Sequence, residues 1–263
     1  MTSSSWLLVL IGLAAASAMM LALWLVQLRI RDASYVDVGW AFGIAGTAVL
    51  YALLGEGTET HRVLVAGLGA VWGVRLGTYL LFRLVGKGED GRYRELRRKW
   101  GGNANRNFLL FFQAQAAFVA IFSLPFAFVA VDGGDVSPLA WIGAALAALS
   151  IAGEVTADAQ LAVWRAKQEN RDKTARIGLW NASRHPNYFF EWLHWVAWAL
   201  IALGSPWGWI AIAVPAFLLY LLLFVTGIPA AEQQALRSRG DDYRRYQEQV
   251  SVFVPWFPRR TPA

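Results

Sequence analysis

Apolar residues along the chain gather into long blocks, and short stretches rich in Lys, Arg and Gly separate these blocks. A helix needs about 20 apolar residues to cross the hydrocarbon core of a bilayer. Seven blocks approach or exceed this length: 6–28, 35–54, 62–82, 107–131, 138–163, 187–203 and 207–228. The pattern therefore predicts an all-α protein, a multi-pass transmembrane helix bundle of about seven helices.

The basic residues predict the orientation of these helices. Of the 24 Lys and Arg residues, 21 fall in four segments: 29–34, 86–106, 164–186 and the stretch after 228. Seven crossings would place all four segments on one side, and cytoplasmic loops of membrane proteins carry an excess of basic residues. We therefore expect the N-terminus outside and the C-terminus in the cytoplasm, as in a multi-pass protein of a bacterial inner membrane.

Composition supports the membrane prediction and removes several kinds of chemistry. Apolar residues make up 57% of the chain and charged residues 16%, and Trp occurs 14 times, often where amphipathic rings would meet the bilayer interface. The absence of Cys excludes disulfides, iron–sulfur clusters, thiolate zinc sites and cysteine nucleophiles. The net charge of +6 lies in loops between apolar blocks, so it indicates membrane topology and not nucleic-acid binding.

The densest polar cluster inside an apolar block is SRHPNYFFEWLHW at 183–195. In a helix, Asn187, Glu191 and His194 would project from one face. Ionisable groups in a membrane helix face a bundle interior or an aqueous cavity, where they mark a functional site by default. Hydrogen bonding between helices is the alternative explanation. A di-iron bundle needs two E-x-x-H helices and further carboxylates, so the single motif predicts no metal site.

Other polar residues lie inside predicted spans at informative spacings. Asp37 follows Tyr35 near the start of the second span, which suggests that an acid and a phenol lie close together. Two polar stripes of helical spacing follow on the third and fifth spans: Arg75, Tyr79 and Arg83, and then Glu154, Asp158 and Arg165. All these groups lie toward the predicted cytoplasmic ends, so we expect a cavity entered from the cytoplasm.

Arginines in the predicted cytoplasmic loops offer planar guanidinium groups that match phosphate oxygens. The candidates are Arg92, Arg94, Arg97, Arg171 and Arg176. A cytosolic cofactor with phosphate groups could use them. Topology alone is the competing explanation, because the positive-inside rule requires basic loops whether or not a ligand binds there.

Several segments give the chain a family resemblance. The chain resembles the steroid 5-alpha-reductase family, especially its bacterial multi-pass members, through three segments: GEVTADAQLAVWR, SRHPNYFFEW and DDYRRYQEQVSVFVPWFP. Looser matches lie at SYVDVGW, WGVRLGTYLLFR and EDGRY. The resemblance implies a membrane helix bundle that uses NADPH to reduce a carbon–carbon double bond conjugated to a ketone. The expected substrate is a small lipophilic enone, such as a 3-oxo-4-ene steroid, and the expected state is a monomer in the lipid bilayer.

The resemblance also implies roles for residues. NADPH would be held by Asp158, Arg165, Asn187 and Glu191, with Tyr243 near it. Further cofactor-binding candidates are Arg75, Arg83, Glu154, Arg171, Arg176, Arg184, His185 and Tyr188. Asp37 matches the family's catalytic acid, and Trp72 stands in place of its partner tyrosine, so Tyr35 is the substitute proton donor. In one domain over 1–263, residues 1–131 would contribute to the substrate cavity and residues 138–263 would bind the cofactor.

Two other classes compete with this interpretation. The RHPNY motif and the DYRRYQEQV tail also resemble membrane methyltransferases of the isoprenylcysteine carboxyl and phospholipid types, which use S-adenosylmethionine. Those enzymes commonly carry paired glutamates where this chain has Glu232 and Gln233, and they leave Asp37, Arg75 and the 154–165 stripe unexplained. A transporter or lipid-binding bundle without chemistry would show inverted repeats, and the sequence shows none.

Overall fold

The computed structural model describes residues 2–170 and 172–258, and this part of the chain is helical without a β-strand. The α-helices are α1 Thr2–Ile30, α2 Tyr35–Leu54, α3 Glu59–Leu64, α4 Ala70–Leu84, α5 Gly91–Trp100, α6 Ala104–Phe122, α7 Leu124–Ala130, α8 Pro138–Ala166, α9 Pro186–Ala202, α10 Ala213–Tyr220, α11 Ile228–Arg239 and α12 Asp241–Gln249. A π-helical segment, Val65–Gly69, joins α3 to α4, and another, Leu221–Val225, follows α10. For the described residues, the predicted all-α architecture is confirmed.

Five helical segments of the described chain are long and apolar enough to cross a membrane: Ser4–Ile30, Tyr35–Leu54, Glu59–Leu84, Pro138–Ala166 and Gly208–Arg239. A sixth results if the bent pair Gly91–Phe122 and Leu124–Ala130 counts as one span. The predicted span 187–203 forms α9, which has only 17 residues. At about 1.5 Å per residue it is roughly 25 Å long, shorter than the ~30 Å hydrocarbon core. The structure thus supports five or six spans where the sequence predicts seven.

A bend separates α6 from α7. The two helices meet at an angle of 41°. Pro125 lies in the first turn of α7, where its missing N–H leaves no bond unmade, but its ring prevents α6 from continuing as a straight helix. Ser123 at the junction is buried and donates to the Ala120 carbonyl oxygen over 3.1 Å. A local sequence signal therefore explains why this apolar block is broken.

The chain forms two compact units. Unit 1 comprises Met1–Trp141 and Ile201–Ala211, and unit 2 comprises Ile142–Leu200 and Ile212–Ala263. In unit 1, α2 packs against α1, α4 and α6, and α1 also packs against α6. Large aromatic side chains fill its core: Trp72, Phe108, Phe112, Phe126 and Phe128 are all fully buried. In unit 2, the tail helices α11 and α12 contact each other and bury Tyr243 and Tyr246.

The contact between α2 and α4 depends on a glycine in α4. A Cβ atom at Gly73 would lie 2.7 Å from the Ala41 carbonyl oxygen and 2.8 Å from the Ala45 backbone nitrogen. Both atoms belong to the backbone of α2, so the two helices approach each other more closely than a side chain permits. The packing role that small residues have in membrane helices explains this glycine.

We expect Gly73→Ala to destabilise the protein by about 1–3 kcal/mol, because the backbone atoms it meets cannot rotate away. Gly46→Ala on α2 is the matched control, since nothing lies within 4 Å of a Cβ atom there. Alanine at that position should be neutral or stabilising. The measurement is the thermal midpoint in detergent, and equal midpoints for the two variants would contradict the close approach.

Candidate functional site

Polar side chains of α8 and α9 meet at two levels in unit 2. The Asn187 amide nitrogen lies 3.4 Å from Asp158 Oδ1, and Ser150 Oγ lies 3.5 Å from His194 Nδ1. Asp158 and Ser150 are eight residues apart on α8, while Asn187 and His194 are seven apart on α9. These spacings correspond to two helical turns, so one polar stripe on each helix faces the other.

Two more carboxylates lie between these levels. Glu154 stands one turn from Asp158 on α8, and Glu191 stands one turn from Asn187 on α9. The helical register therefore places Glu154 and Glu191 at the same height. Glu154 is only 3% exposed and Asp158 only 6%. Carboxylates at this depth are retained where donor groups bind them, so this stripe is suited to hold hydroxyl and amide groups.

His194 ends the stripe as a hydrogen-bonded core residue. Trp198 Nε1 donates to His194 Nε2 over 3.0 Å, so that nitrogen carries no proton. The proton then belongs to Nδ1, which faces Ser150, and the Ser150 hydroxyl donates onward to the Ala147 carbonyl oxygen over 2.8 Å. No group of three or more metal-ligating side chains occurs within residues 2–170 and 172–258.

A second set of predicted cofactor residues surrounds Glu232 of α11. Its Oε1 atom accepts from Arg184 Nε over 2.6 Å and lies 3.4 Å from both His185 Nε2 and the Tyr243 hydroxyl. Its Oε2 atom accepts from the Gln247 amide over 2.8 Å. Glu232 is thus the centre of four polar contacts, which we name the Glu232 hub. Burial raises the pKa of the Tyr243 hydroxyl, which keeps that group a donor.

Arg184 joins the segment before α9 to the C-terminal tail. Its NH1 group donates to the carbonyl oxygens of Gln247 and Val250, over 2.9 and 2.7 Å, at the end of α12. Carbonyls at a helix end lack intrahelical partners and favour a cation. The Arg184 backbone N–H donates to Ser251 over 2.8 Å, and the Ser183 hydroxyl donates to the Phe253 carbonyl oxygen over 2.7 Å. Arg184 therefore has a structural role in unit 2.

The remaining unit 2 candidates differ in their surroundings. The ring of Tyr188 stacks on that of His185, with centroids 5.5 Å apart and planes 7° apart. Arg176 donates to the Asp242 carbonyl oxygen over 3.1 Å and to its carboxylate over 3.3 Å. Burial opposes ionisation of Asp242, but the Thr174 backbone N–H and Arg176 hold the pKa of its carboxyl below its usual value.

Two predicted arginines remain. Arg165 lies exposed in the last turn of α8. It stands seven residues after Asp158, so both project from the same face of the helix. Arg171 lies outside the described residues.

Unit 1 holds a separate polar cluster around Asp37, in the first turn of α2. The Tyr93 hydroxyl donates to Asp37 Oδ1 over 2.6 Å, and an Arg92 amino group donates to Asp37 Oδ2 over 2.9 Å. Asp90 caps the N-terminus of α5 and also binds Arg92. Burial opposes ionisation of Asp90, but its hydrogen bonds with Arg92 hold the pKa of that carboxyl below its usual value.

This arrangement changes the role expected for Asp37. Both of its carboxylate oxygens accept hydrogen bonds, and one bond comes from a guanidinium group. Such a carboxylate is an acceptor, whereas the sequence suggested a proton donor at this position. The donor in the cluster is Tyr93, to which the sequence assigned no role. The charged Arg92 lies beside it, with its guanidinium carbon 5.3 Å from the centre of the Tyr93 ring.

The two other catalytic candidates, Tyr35 and Trp72, have different surroundings. Tyr35 lies two residues before Asp37, and residues at that spacing point to different sides of a helix. Within the described chain, Tyr35 makes no hydrogen bond to Asp37. Trp72 is fully buried and packs edge-on against Trp40, with ring centroids 5.9 Å apart. Trp72 is therefore a packing residue of the unit 1 core.

Arg75 and Arg83 lie on one stripe of α4, eight residues apart. Arg83 is exposed, and its amino nitrogen lies 4.0 Å from the Asp90 carboxylate. That contact places Arg83 at the edge of the Asp37 cluster, in unit 1. Arg75 is half-buried in the middle of α4.

Comparison with models of protein families gives a match over most of the chain. Residues 23–250 match the family described as Protein of unknown function (DUF1295). The chain belongs to this family. The DUF1295 family is membrane-associated and related to the steroid 5-alpha-reductases. No curated protein and no solved structure matches the chain.

The DUF1295 match runs through every cluster described above, from Asp37 in unit 1 to Tyr243 in unit 2. Sequence reasoning assigned no role to Tyr93, and it pointed to Glu232 only through the methyltransferase alternative. Tyr93 lies 56 residues from Asp37, and Glu232 lies 48 residues from Arg184. Local spacing carries no signal for such pairs. The interleaving of acidic, basic and aromatic residues in EDGRY was the available hint for Tyr93.

We expect Glu232→Gln to destabilise unit 2 by about 3 kcal/mol, because it leaves the largely buried Arg184 guanidinium without its counter-charge. Glu248→Gln, on the exposed side of α12, is the control and should have no measurable effect. Limited proteolysis of the tail and the thermal midpoint in detergent would check this. If the two variants behave alike, the Glu232 hub does not hold the tail in place.

Proposed function

We propose that this DUF1295 protein reduces the carbon–carbon double bond of a small lipophilic enone with NADPH, and that 3-oxo-4-ene steroids represent its substrate class. The observation that carries the proposal is the polar stripe of α8 and α9. Buried Glu154 and Asp158 lie beside Asn187 and level with Glu191, on two helices whose other residues are mostly apolar. A membrane helix pair retains such groups for a ligand.

The stripe supplies the two kinds of group that a nicotinamide nucleotide needs. The carboxylates of Asp158 and Glu191 accept hydrogen bonds from ribose hydroxyls or from the carboxamide N–H, and the Asn187 amide can donate as well as accept. Bound NADPH would supply a hydride to the β-carbon of the enone. The resemblance to the steroid 5-alpha-reductases assigns NADPH to the same residues, which supports this choice of cofactor.

The Asp37 cluster provides the second function that the reaction requires. As a hydride adds to the β-carbon, negative charge develops on the ketone oxygen, and a donor placed there stabilises the transition state more than the ground state. In our proposal the ketone oxygen accepts from the Tyr93 hydroxyl. When the enone binds, this hydroxyl turns its single proton from Asp37 Oδ1 to the ketone oxygen, Arg92 keeps its bond to Asp37 and adds positive charge beside the ketone, and the α-carbon of the enolate then takes a proton from water.

Incubation of the purified protein with testosterone or progesterone and NADPH tests this function directly. We expect the 5-alpha-reduced steroid and a matching amount of NADP⁺. A parallel incubation with S-adenosylmethionine and prenylcysteine or phospholipid acceptors tests the methyltransferase alternative. Methyl transfer without NADPH oxidation would contradict the proposal.

An arginine near the stripe should bind the 2′-phosphate of NADPH, and we assign this role to Arg165. It is exposed at the end of α8 and shares a face with Asp158. Charge-assisted contacts to phosphate are strong. We therefore expect Arg165→Gln to raise the KM for NADPH about tenfold or more and to leave the KM for NADH nearly unchanged.

Arg176→Gln is the matched control, because Arg176 already binds the Asp242 carboxylate. Its substitution should change both KM values little. Steady-state kinetics with each cofactor checks the pair of variants. Equal effects of Arg165→Gln on NADPH and NADH would rule out its phosphate role.

A further inference from the structure

An open groove in unit 1 lies between the last turns of α2 and the segment formed by α3 and Val65–Gly69. Its volume is about 440 Å³. The apolar side chains along it are strongly exposed: Val49 to 42%, Leu53 to 68% and Val63 to 61%. Both flanking segments belong to candidate membrane spans. Such exposed apolar surface in a span is suited to the acyl chains of lipids.

Arg62 brings a positive charge into this apolar groove. Its Nε atom donates to the Ala52 carbonyl oxygen over 2.6 Å, in the last turn of α2. That carbonyl is one of those that a helix end leaves without an intrahelical partner. In the described ranges, 2–170 and 172–258, this is the only hydrogen bond of the Arg62 side chain. The bond fixes the guanidinium plane, and the two amino groups remain for another acceptor.

Glu59 brings a negative charge to the same groove. It stands three residues before Arg62, about one helical turn away, and is exposed. The groove therefore offers a cation, an anion and an apolar wall. A soluble anion such as free phosphate would use only the guanidinium group. An amphiphile whose head group carries both charges would use all three features.

We propose that this groove binds a phospholipid of the phosphatidylethanolamine type. The phosphodiester oxygens accept hydrogen bonds from the amino groups of Arg62. The lipid ammonium group pairs with the Glu59 carboxylate, and one acyl chain lies along Val49, Leu53 and Val63. This site is separate from the residues assigned to cofactor and enone.

Native mass spectrometry of the detergent-solubilised protein, titrated with phosphatidylethanolamine or phosphatidylglycerol, tests the assignment. We expect wild type to bind phosphatidylethanolamine more tightly. Arg62→Gln should weaken binding of both lipids about tenfold. Glu59→Gln should remove the preference and leave phosphatidylglycerol binding intact. Arg106→Gln, an exposed arginine of α6, should bind both lipids as wild type does.

Arg62→Gln also removes the bond between Arg62 and α2, so a second variant tests the groove with that bond intact. Ala66→Phe fills the apolar part of the groove and leaves both charged residues in place. It should abolish lipid retention while the thermal midpoint in lipid-free detergent stays at the wild-type value. Unchanged affinity of both Arg62→Gln and Ala66→Phe for phosphatidylethanolamine would overturn the site. A wild-type preference for phosphatidylglycerol would overturn the role of Glu59.

Discussion

Tyr93→Phe should lower the rate of enone reduction by about 10²–10³-fold, which is the typical loss when one donor to a developing oxyanion is removed. The substitution deletes the hydroxyl that bonds Asp37 and leaves the ring in its contacts with Phe108 and Phe111. Because the interaction strengthens only as charge develops on the substrate, NADPH affinity should stay at the wild-type value. The measurements are kcat and the NADPH dissociation constant.

Two further variants separate this role from a structural one. Tyr220→Phe removes a hydroxyl from an exposed tyrosine of α10 and should leave the rate unchanged. Asp37→Asn keeps the size of the side chain but removes the charge that holds Arg92 and orients Tyr93, so it should also slow turnover. If Tyr93→Phe reduces the enone at the wild-type rate, the donor must be a different group.

Glu191→Ala should weaken NADPH binding by about 1–3 kcal/mol, because a donor group of the cofactor would lose its acceptor in a region of low dielectric. The expected result is a smaller increase of the thermal midpoint on addition of NADPH than wild type shows. The midpoint without NADPH reports separately on folding. Glu248→Ala, at an exposed position of α12, is the control and should respond to NADPH as wild type does.

Glu191→Ala should change cofactor affinity, whereas Tyr93→Phe should change turnover. Loss of folding in both variants would indicate that these residues only connect helices. If NADPH raises the thermal midpoint of Glu191→Ala as much as that of wild type, the cofactor does not bind at the stripe of α8 and α9.

Much of the helical architecture could be predicted from the sequence, because the length and periodicity of apolar blocks are local properties. The predicted block 35–54 coincides with α2. The stripes Glu154 to Asp158 and Asn187 to Glu191 follow from helical spacing in the same way. The predicted count of seven spans exceeds the five or six that the structure supports, because 187–203 lies at the lower length limit for a membrane helix.

Which side chains bind each other in the candidate site could not be predicted, because these contacts join distant parts of the chain. Nothing near Asp37 in the sequence indicates that Tyr93 and Arg92 bind its two oxygens. The neighbouring Tyr35 was the nearest phenol in sequence, but its position in the helix turns it away. Likewise Arg184 was expected at the cofactor, whereas Glu232 and the end of α12 engage it.

Transfer of a deuterium label from NADPH to the steroid tests the proposed hydride transfer. The protein would be incubated with progesterone and NADPH deuterated at the transferred position of the nicotinamide, and the steroid product would be analysed by mass spectrometry. We predict a 5-alpha-reduced product that carries one deuterium at the former β-carbon, and about 1% of that amount or less from Tyr93→Phe in the same time. A product without deuterium, or a methylated product that forms only with S-adenosylmethionine, would contradict the account.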